Sequence, residues 1–394
     1  MEITDVLDKL KQTKIIKDIT PFEKEWVPDV FLHRESEIQE ITYHLSSIVK
    51  YNTINSNLLI TGQSGTGKTH VVKRVLEAIK SYTNKENNVF DFVYIKASEN
   101  DSKHAIIRKF LLQKGVKIHP RSSFSVHMEE FENRLKEIDE SNIIIVLDDI
   151  QFLFLKNKSD ADQLLFSLSK LEIPEKRIGI ILISNLSSKE FLDALSPPTK
   201  QNLKLREIYF SKYNAKQLFD ILNNRIKMAV YENSVPSGVV SKISAMVARE
   251  WGSARFAIDL LFETIKLTEL NGKNVVEENY VNEAYKILEI SNLKEKIKKL
   301  PLHPYALLES IYNLYKENTI ITTGAVYKKY NESLIKSNIT PLTARRASDI
   351  IKELDADGLI EAHVVCKGKH GVSKDIKWII PENIFEEVRR EVKT

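Results

Sequence analysis

The chain has 394 residues, 42% hydrophobic and 28% charged, with a formal net charge of +4. That is an ordinary soluble balance over more length than one core uses, so two or three domains are expected. No apolar run reaches the roughly 18 residues that a membrane span needs, residues 1–20 lack a secretion signal's apolar core, and a single cysteine, Cys366, excludes an internal disulfide framework. No membrane partner and a reducing, intracellular location (cytoplasm or nucleoid) are therefore expected.

Residues 1–20 read as a charged N-terminal arm. Helical spacing follows over 36–49, where Ile38, Ile41, Leu45 and Ile48 lie three or four apart. A short apolar run over 57–61 stops at Gly62, as a buried parallel strand does. Helical spacing returns with Val71, Val72, Val75, Leu76 and Ile79. Strand-like runs recur over 90–95, 143–147, 178–183 and 206–210, with helical stretches over 105–112 and 128–138. This alternation predicts an α/β domain over 21–212, a parallel sheet with helices on both faces. From 213 to 290 the pattern is all helical, marked by Leu218, Leu222 and Ile226, by Val239, Ile243 and Val247, and by Phe256, Leu260 and Ile265. A charged stretch over 291–300 ends near Pro301 and reads as a linker. Three helical segments then precede a strand–turn–strand signal at 363–365 and 376–380, which predicts a winged helix-turn-helix over 301–394.

The most specific motif is Gly62-Gln63-Ser64-Gly65-Thr66-Gly67-Lys68-Thr69, a complete G-x-x-x-x-G-K-[ST] between a strand and a helix. Its glycines let consecutive backbone N–H groups wrap a phosphate, and the following helix adds its positive N-terminal end. The motif predicts ATP or ADP as ligand, with Lys68 at the β- and γ-phosphates and the Thr69 hydroxyl on Mg²⁺. Residues 143–147 then carry an apolar strand into Asp148 and Asp149. Carboxylates there suit metal support by Asp148 and polarisation of an attacking water by Asp149. Asn185, after the next strand, is placed to touch the γ-phosphate or that water. Arg255, in Gly252-Ser253-Ala254-Arg255, opens a helix from which it can reach back to the nucleotide.

Residues 301–394 hold 14 Lys and Arg against 13 Asp and Glu, so any nucleic-acid surface there must be local. The third helix opens with Pro341-Leu342-Thr343-Ala344-Arg345-Arg346-Ala347-Ser348. In a helix-turn-helix its polar N-terminal face enters the major groove, so Thr343, Arg345, Arg346 and Ser348 are candidate DNA contacts. The hairpin tip carries Lys367, Lys369 and Lys374 beside two glycines, a cationic wing suited to phosphates. A solvated hairpin on a protein-binding winged helix fits the same residues.

These elements in this order resemble the AAA+ replication initiators of the archaeal and eukaryotic origin-recognition family, over nearly the whole chain. The resemblance implies that Val27, Pro28, His33 and Arg34 pack at the adenine, and that Asp148-Asp149 form the Walker B end. It makes Asn185 sensor 1 and Arg255 sensor 2. Phe210, Tyr213, Leu218, Ile221, Leu222 and Arg225 look like the start of the lid, with Tyr213 at the nucleotide. Arg121 and Ser122, beside Phe124, sit where the family's insertion touches DNA. The resemblance also implies duplex origin DNA, a paralogous initiator subunit and the replicative minichromosome-maintenance helicase as partners. Three positions depart from the family pattern. Asp149 stands where Glu is usual. Ser196-Pro197-Pro198-Thr199-Lys200 carries no arginine finger, and Lys200 and Arg206 are poor substitutes. The stretch over 120–124 lacks the insertion's usual glycine. Slow hydrolysis is therefore expected, with catalytic help from a different chain. Two other readings compete. A signalling P-loop switch usually adds sensor repeats after its winged helix, and none follows here. A metabolic kinase needs an acceptor-substrate domain, for which no stretch remains.

Overall fold

The computed structural model describes residues 15–24, 26–28, 30–55, 57–83, 90–100, 102–117, 119, 121–366 and 372–392, with backbone only for 364–366 and 372–374. The chain divides into two compact units, residues up to 282 and residues from 283 onward. No described helix is long and apolar enough to cross a membrane.

In the first unit five parallel strands, β1 (Asn57–Gly62), β2 (Phe90–Lys96), β3 (Asn142–Asp148), β4 (Arg177–Ser184) and β5 (Leu205–Phe210), form one sheet in the order β2-β3-β4-β1-β5. The continuous apolar run in β3 is explained by burial on both faces. Ile143, Ile145 and Leu147 join one core, while Ile144 and Val146 join the other. The first core is closed by α3 (Lys103–Gln113), α4 (Phe124–Glu137) and the short helices α5 (Gln151–Lys156), α6 (Lys158–Ser169), α7 (Ser188–Ala194) and α8 (Pro197–Leu203). The second is closed by α1 (Glu35–Tyr51) and α2 (Lys68–Thr83), whose Ile41, Leu45, Val71, Val75 and Ile79 lie at helical spacing on one face. Side chains alternate along each strand, so one strand feeds both cores, as the parallel-sheet reading requires.

Three helices follow β5: α9 (Ala215–Ala229), α10 (Ser237–Glu250) and α11 (Ala254–Leu270). Asn214 and Gln217 form a reciprocal capping box on α9. Ser253 caps α11, accepting from Phe256 N at 3.2 Å. The end of the supposed arm belongs to this helical part. Ile15 is fully buried, its carbonyl accepts from Tyr231 N at 3.0 Å, and its N–H donates to Glu269 Oε1 at 2.8 Å. Phe22 then stacks on Phe262 at 5.1 Å.

The stretch expected as a linker is helical, because α12 runs over Asn279–Lys298. The second unit holds α13 (Leu302–Lys316), α14 (Thr323–Lys336), α15 (Ala344–Ala356), the antiparallel hairpin β6 (Ile360–Cys366) and β7 (Val372–Trp378), and α16 (Glu382–Val392). β6 extends beyond the expected 363–365 at both ends, and β7 begins and ends earlier than the expected 376–380. A last helix beyond the expected elements follows the hairpin; Pro381 followed by Ile384, Phe385 and Val388 forms its start and apolar stripe. Those three side chains are buried, and Phe385 meets Tyr312 at 4.7 Å and Trp378 at 4.9 Å.

Candidate functional site

β1 ends at Gly62, and the chain turns through the glycine-rich loop into α2. Gly62, Gly65 and Gly67 have φ of +138°, +77° and +94°, which side chains with a Cβ rarely adopt. A Cβ on Gly65 would meet Ser253 Oγ at 1.9 Å. The loop is pressed against the start of α11, whose Ala254 N–H donates to the Gly65 carbonyl at 3.0 Å. Loop and α11 N-terminus thus converge on one cavity of about 260 Å³, lined among others by Ser64, Gly65, Gly67, Lys68, Thr69 and Arg255. Gly62, Gln63 and Thr66 lie behind the lining and shape the loop. Lys68 Nζ donates to the carbonyls of Gly62 (2.6 Å) and Gln63 (2.7 Å) and to Asn185 Oδ1 (2.8 Å). Burial is the main cause that lowers its pKa to about 8.

Asp148 and Asp149 reach the same cavity from the end of β3. Asp148 is 2% exposed. Its Oδ2 accepts from the Thr69 hydroxyl at 2.7 Å and from the Tyr94 hydroxyl, and its Oδ1 accepts from Asp149 N at 2.8 Å. Burial, then the Asp149 charge, pushes its carboxyl up to about 6. Asp149 sits at φ +55°, a strained position for a non-glycine residue. Its Oδ1 accepts from Gln151 Nε2 at 3.2 Å, while Gln151 Oε1 accepts from Asn185 N at 3.3 Å. Gln151 therefore bridges the two strand ends.

Thr69 and Asp148 supply two hard oxygen donors side by side, beside a loop that cradles phosphate. That donor set fits Mg²⁺, which keeps several waters and needs few protein ligands. Bound there, the metal would neutralise phosphate charge.

Of the residues expected at the adenine, Pro28 lines the cavity, and Val27, His33 and Arg34 do not; Tyr213, expected at the nucleotide, lines it too. Val27 is 38% exposed. His33 Nε2 lies 2.9 Å from Asp220 Oδ2 on α9. Arg34 is buried behind the loop. Its Nε donates to the Thr66 carbonyl (3.0 Å), its Nη2 to the Ser211 carbonyl (2.7 Å) and its Nη1 to Glu37 Oε1 (2.6 Å). Its guanidinium also lies 3.9 Å from the Tyr213 ring centroid. Its place is architectural: one side chain ties the loop, the end of β5 and the entry to α9.

The apolar wall is built instead from Pro28, Val30, Phe31 and Leu32 with Trp26 and Ile221. Arg225 donates to the Pro21 carbonyl at 2.7 Å and lies 3.8 Å over Trp26, and burial lowers its pKa to about 10. Lys73 and Lys96 also line the cavity, and Lys73 Nζ sits 4.2 Å over Tyr94. Sequence spacing carried no signal for Tyr94. Its contact depends on the parallel register that sets Tyr94 against Val146 and Lys96 against Asp148.

In the second unit Thr343 caps α15, accepting from Arg346 N at 3.4 Å. Arg345 and Arg346 are exposed and Ser348 is half-buried. Arg346 pairs with Glu353 at 3.0 Å, while no ion pair among the described residues engages Arg345. In the first unit Arg121 is exposed and Ser122 half-buried, just before the Ser123 cap of α4. Lys367 and Lys369 lie outside the described residues, as does the Lys374 side chain.

Three family models match the chain: an AAA domain over 54–189, a Cdc6 AAA+ ATPase-type lid domain over 219–286, and a CDC6 C-terminal winged helix domain over 295–388. An ORC1-type DNA replication protein of Desulfurococcus amylolyticus is 31% identical over 382 residues, covering 95% of each chain. One from Pyrococcus horikoshii is 35% identical over 379 residues, covering 93% of this chain and 88% of the other. The ORC1 protein of Aeropyrum pernix, solved in complex with DNA, superposes with a TM-score of 0.83 at 29% identity, covering 96% of this chain and 97% of the other. The CDC6P structure from Pyrobaculum aerophilum shares the fold, with a TM-score of 0.60 at 22% identity.

Proposed function

The chain belongs to the ORC1/Cdc6-type DNA replication initiators, and from that premise we propose that it binds ATP and Mg²⁺, holds duplex origin DNA and helps recruit the replicative helicase. Membership of this family also removes the signalling-switch alternative. The observation that carries the reading is the convergence of Lys68, Thr69, Asp148, Asn185 and Arg255 on one cavity, with α11 seated directly on the phosphate loop. Nucleotide state is thereby tied to the position of the helices after β5.

Hydrolysis is slow in this reading. Asp149 is short for a water-polarising acid, is turned through a left-handed backbone and already accepts from Gln151. No arginine finger stands in 196–200. A second, paralogous initiator chain completes the site. A steady-state turnover near 10 per second, typical of efficient enzymes, would sink this part.

DNA is held by the N-terminal face of α15, by the wing and by Arg121 and Ser122 beside α4. Support comes from the exposed Arg345 and from the DNA-bound structure of the Aeropyrum pernix relative. The test is footprinting on the chain's own origin duplex against scrambled duplex at fixed salt. Wild type is compared with Arg345→Ala/Arg346→Ala and with a wing lacking Lys367, Lys369 and Lys374. Discrete protection lost in the helix variant, with weaker binding everywhere in the wing variant, supports base reading by α15 and phosphate anchoring by the wing. No origin preference and no change in either variant removes the origin-binding proposal.

A further inference from the structure

Asp259 is a cavity-lining carboxylate that the nucleotide reading leaves unused. It lies on α11 four residues past Arg255, so the two side chains share a face about 6 Å apart along the axis. Apolar groups line the same cavity, among them Phe22, Trp26, Ile221 and Ile258. No hydrogen bond or ion pair among the described residues reaches its carboxylate. Arg255 and Lys24 attract its charge without pairing, and burial holds its pKa above the usual carboxylate value. Asp259 is half-buried, and an acceptor partly withdrawn from water without a donor gains from a ligand that brings one.

The order of groups along the cavity indicates which part of the ligand brings it. Lys68 and the start of α11 face the phosphates, and a carboxylate repels phosphate. Pro28, Val30, Phe31 and Leu32 offer the flat apolar contact that a base takes. Asp259 lies on α11 between Arg255, beside the phosphate loop, and Phe262, on which the cavity-lining Phe22 stacks at 5.1 Å, and the sugar of a nucleotide follows its phosphates along this face. We propose that Asp259 accepts a hydrogen bond from a ribose hydroxyl of the bound adenine nucleotide and makes the site select for an intact ribose. This rests on the reading of the cavity as a nucleotide site.

The test is calorimetric titration of the full chain with ADP, 2′-deoxy-ADP and 3′-deoxy-ADP, in wild type, Asp259→Ala and Asp259→Asn. Hydrogen bonds to a charged acceptor predict that wild type binds at least one deoxy analogue roughly 10- to 100-fold more weakly than ADP. The alanine variant binds all three alike, and the asparagine variant, which keeps an acceptor, retains part of the preference. Wild type binding all three within about threefold overturns the inference and leaves the nucleotide site standing, whether or not the variants fold. A preference that survives in Asp259→Ala overturns it too. Failure of wild type to bind ADP at all removes the nucleotide reading itself.

Discussion

Replacing Asp148 by Asn should stabilise the nucleotide-free protein near neutral pH. The carboxyl is 2% exposed, and burial beside Asp149 raises its pKa from 3.8 to about 6. About two pKa units correspond to roughly 3 kcal/mol between its two protonation states. The raised value means that the folded protein disfavours the charged form. The ionised carboxylate therefore costs stability in full above about pH 6, less as the pH falls, and nothing below 3.8, where folded and unfolded chains both bind the proton. Asn keeps the shape and removes the charge. Its amide cannot accept at both oxygen positions, which offsets roughly 1 kcal/mol. A net gain of about 2 kcal/mol corresponds to roughly 4 to 8 °C in the first unit's melting transition. Scanning calorimetry without nucleotide at pH 7.5, 5.5 and 4.5 measures it. The gain should be largest at pH 7.5 and shrink toward pH 4.5. Added Mg²⁺ and ATP should raise the wild-type transition and leave the variant nearly unmoved. Equal or lower stability at pH 7.5, or a gain that ignores pH, would refute the idea that the site stores unfavourable charge for a metal to neutralise.

Three further perturbations address other parts of the argument. Gly65→Ala should abolish measurable ADP binding, because its Cβ strikes Ser253 Oγ and φ is +77°; adding Ser253→Gly removes the clash but not the strain, so titration should find only partial recovery. Arg34→Ala should lower the first unit's stability by about 3 to 5 kcal/mol in denaturant melts by stranding the buried Glu37 carboxylate; Arg34→Lys, lacking the fork that reaches Thr66, Ser211 and Glu37 together, should restore little, and full rescue would contradict the bridging role. Arg345→Ala should weaken binding to origin duplex more than Arg346→Ala in parallel titrations, since Arg346 is already engaged by Glu353; the reverse order would place the reading face elsewhere on α15.

Local rules made much of this protein legible. Strands buried on both faces are apolar at their centres, so Leu58–Ile60 and Ile143–Leu147 mark β1 and β3. A phosphate loop needs glycine at fixed steps, so 62–69 announced itself. Charged strand ends and capped helices followed from the same short-range chemistry, and with the family pattern they led to Asp148, Asp149, Asn185 and Arg255. Helices α5, α7 and α8, of six or seven residues, are too short to show a period, whereas α6, with Ala161, Leu164, Leu165 and Leu168 at helical spacing, and α16 carry one.

Contacts between segments distant in sequence were decided only by the tertiary structure. The family resemblance implies that Arg34 packs at the adenine. Folding buries it because its planar fork satisfies carbonyls that chain connectivity alone does not bring together. Tyr94 reached Asp148 only through the register of β2 on β3. Asp259 met the cavity because α11 docks on the phosphate loop. Sequence by itself determines which backbone conformations and faces each segment prefers, since those depend on neighbours a few residues away. Which side chains share one water-poor cavity depends on long-range packing, and there the desolvation of Lys68 and Asp148 sets the site's chemistry.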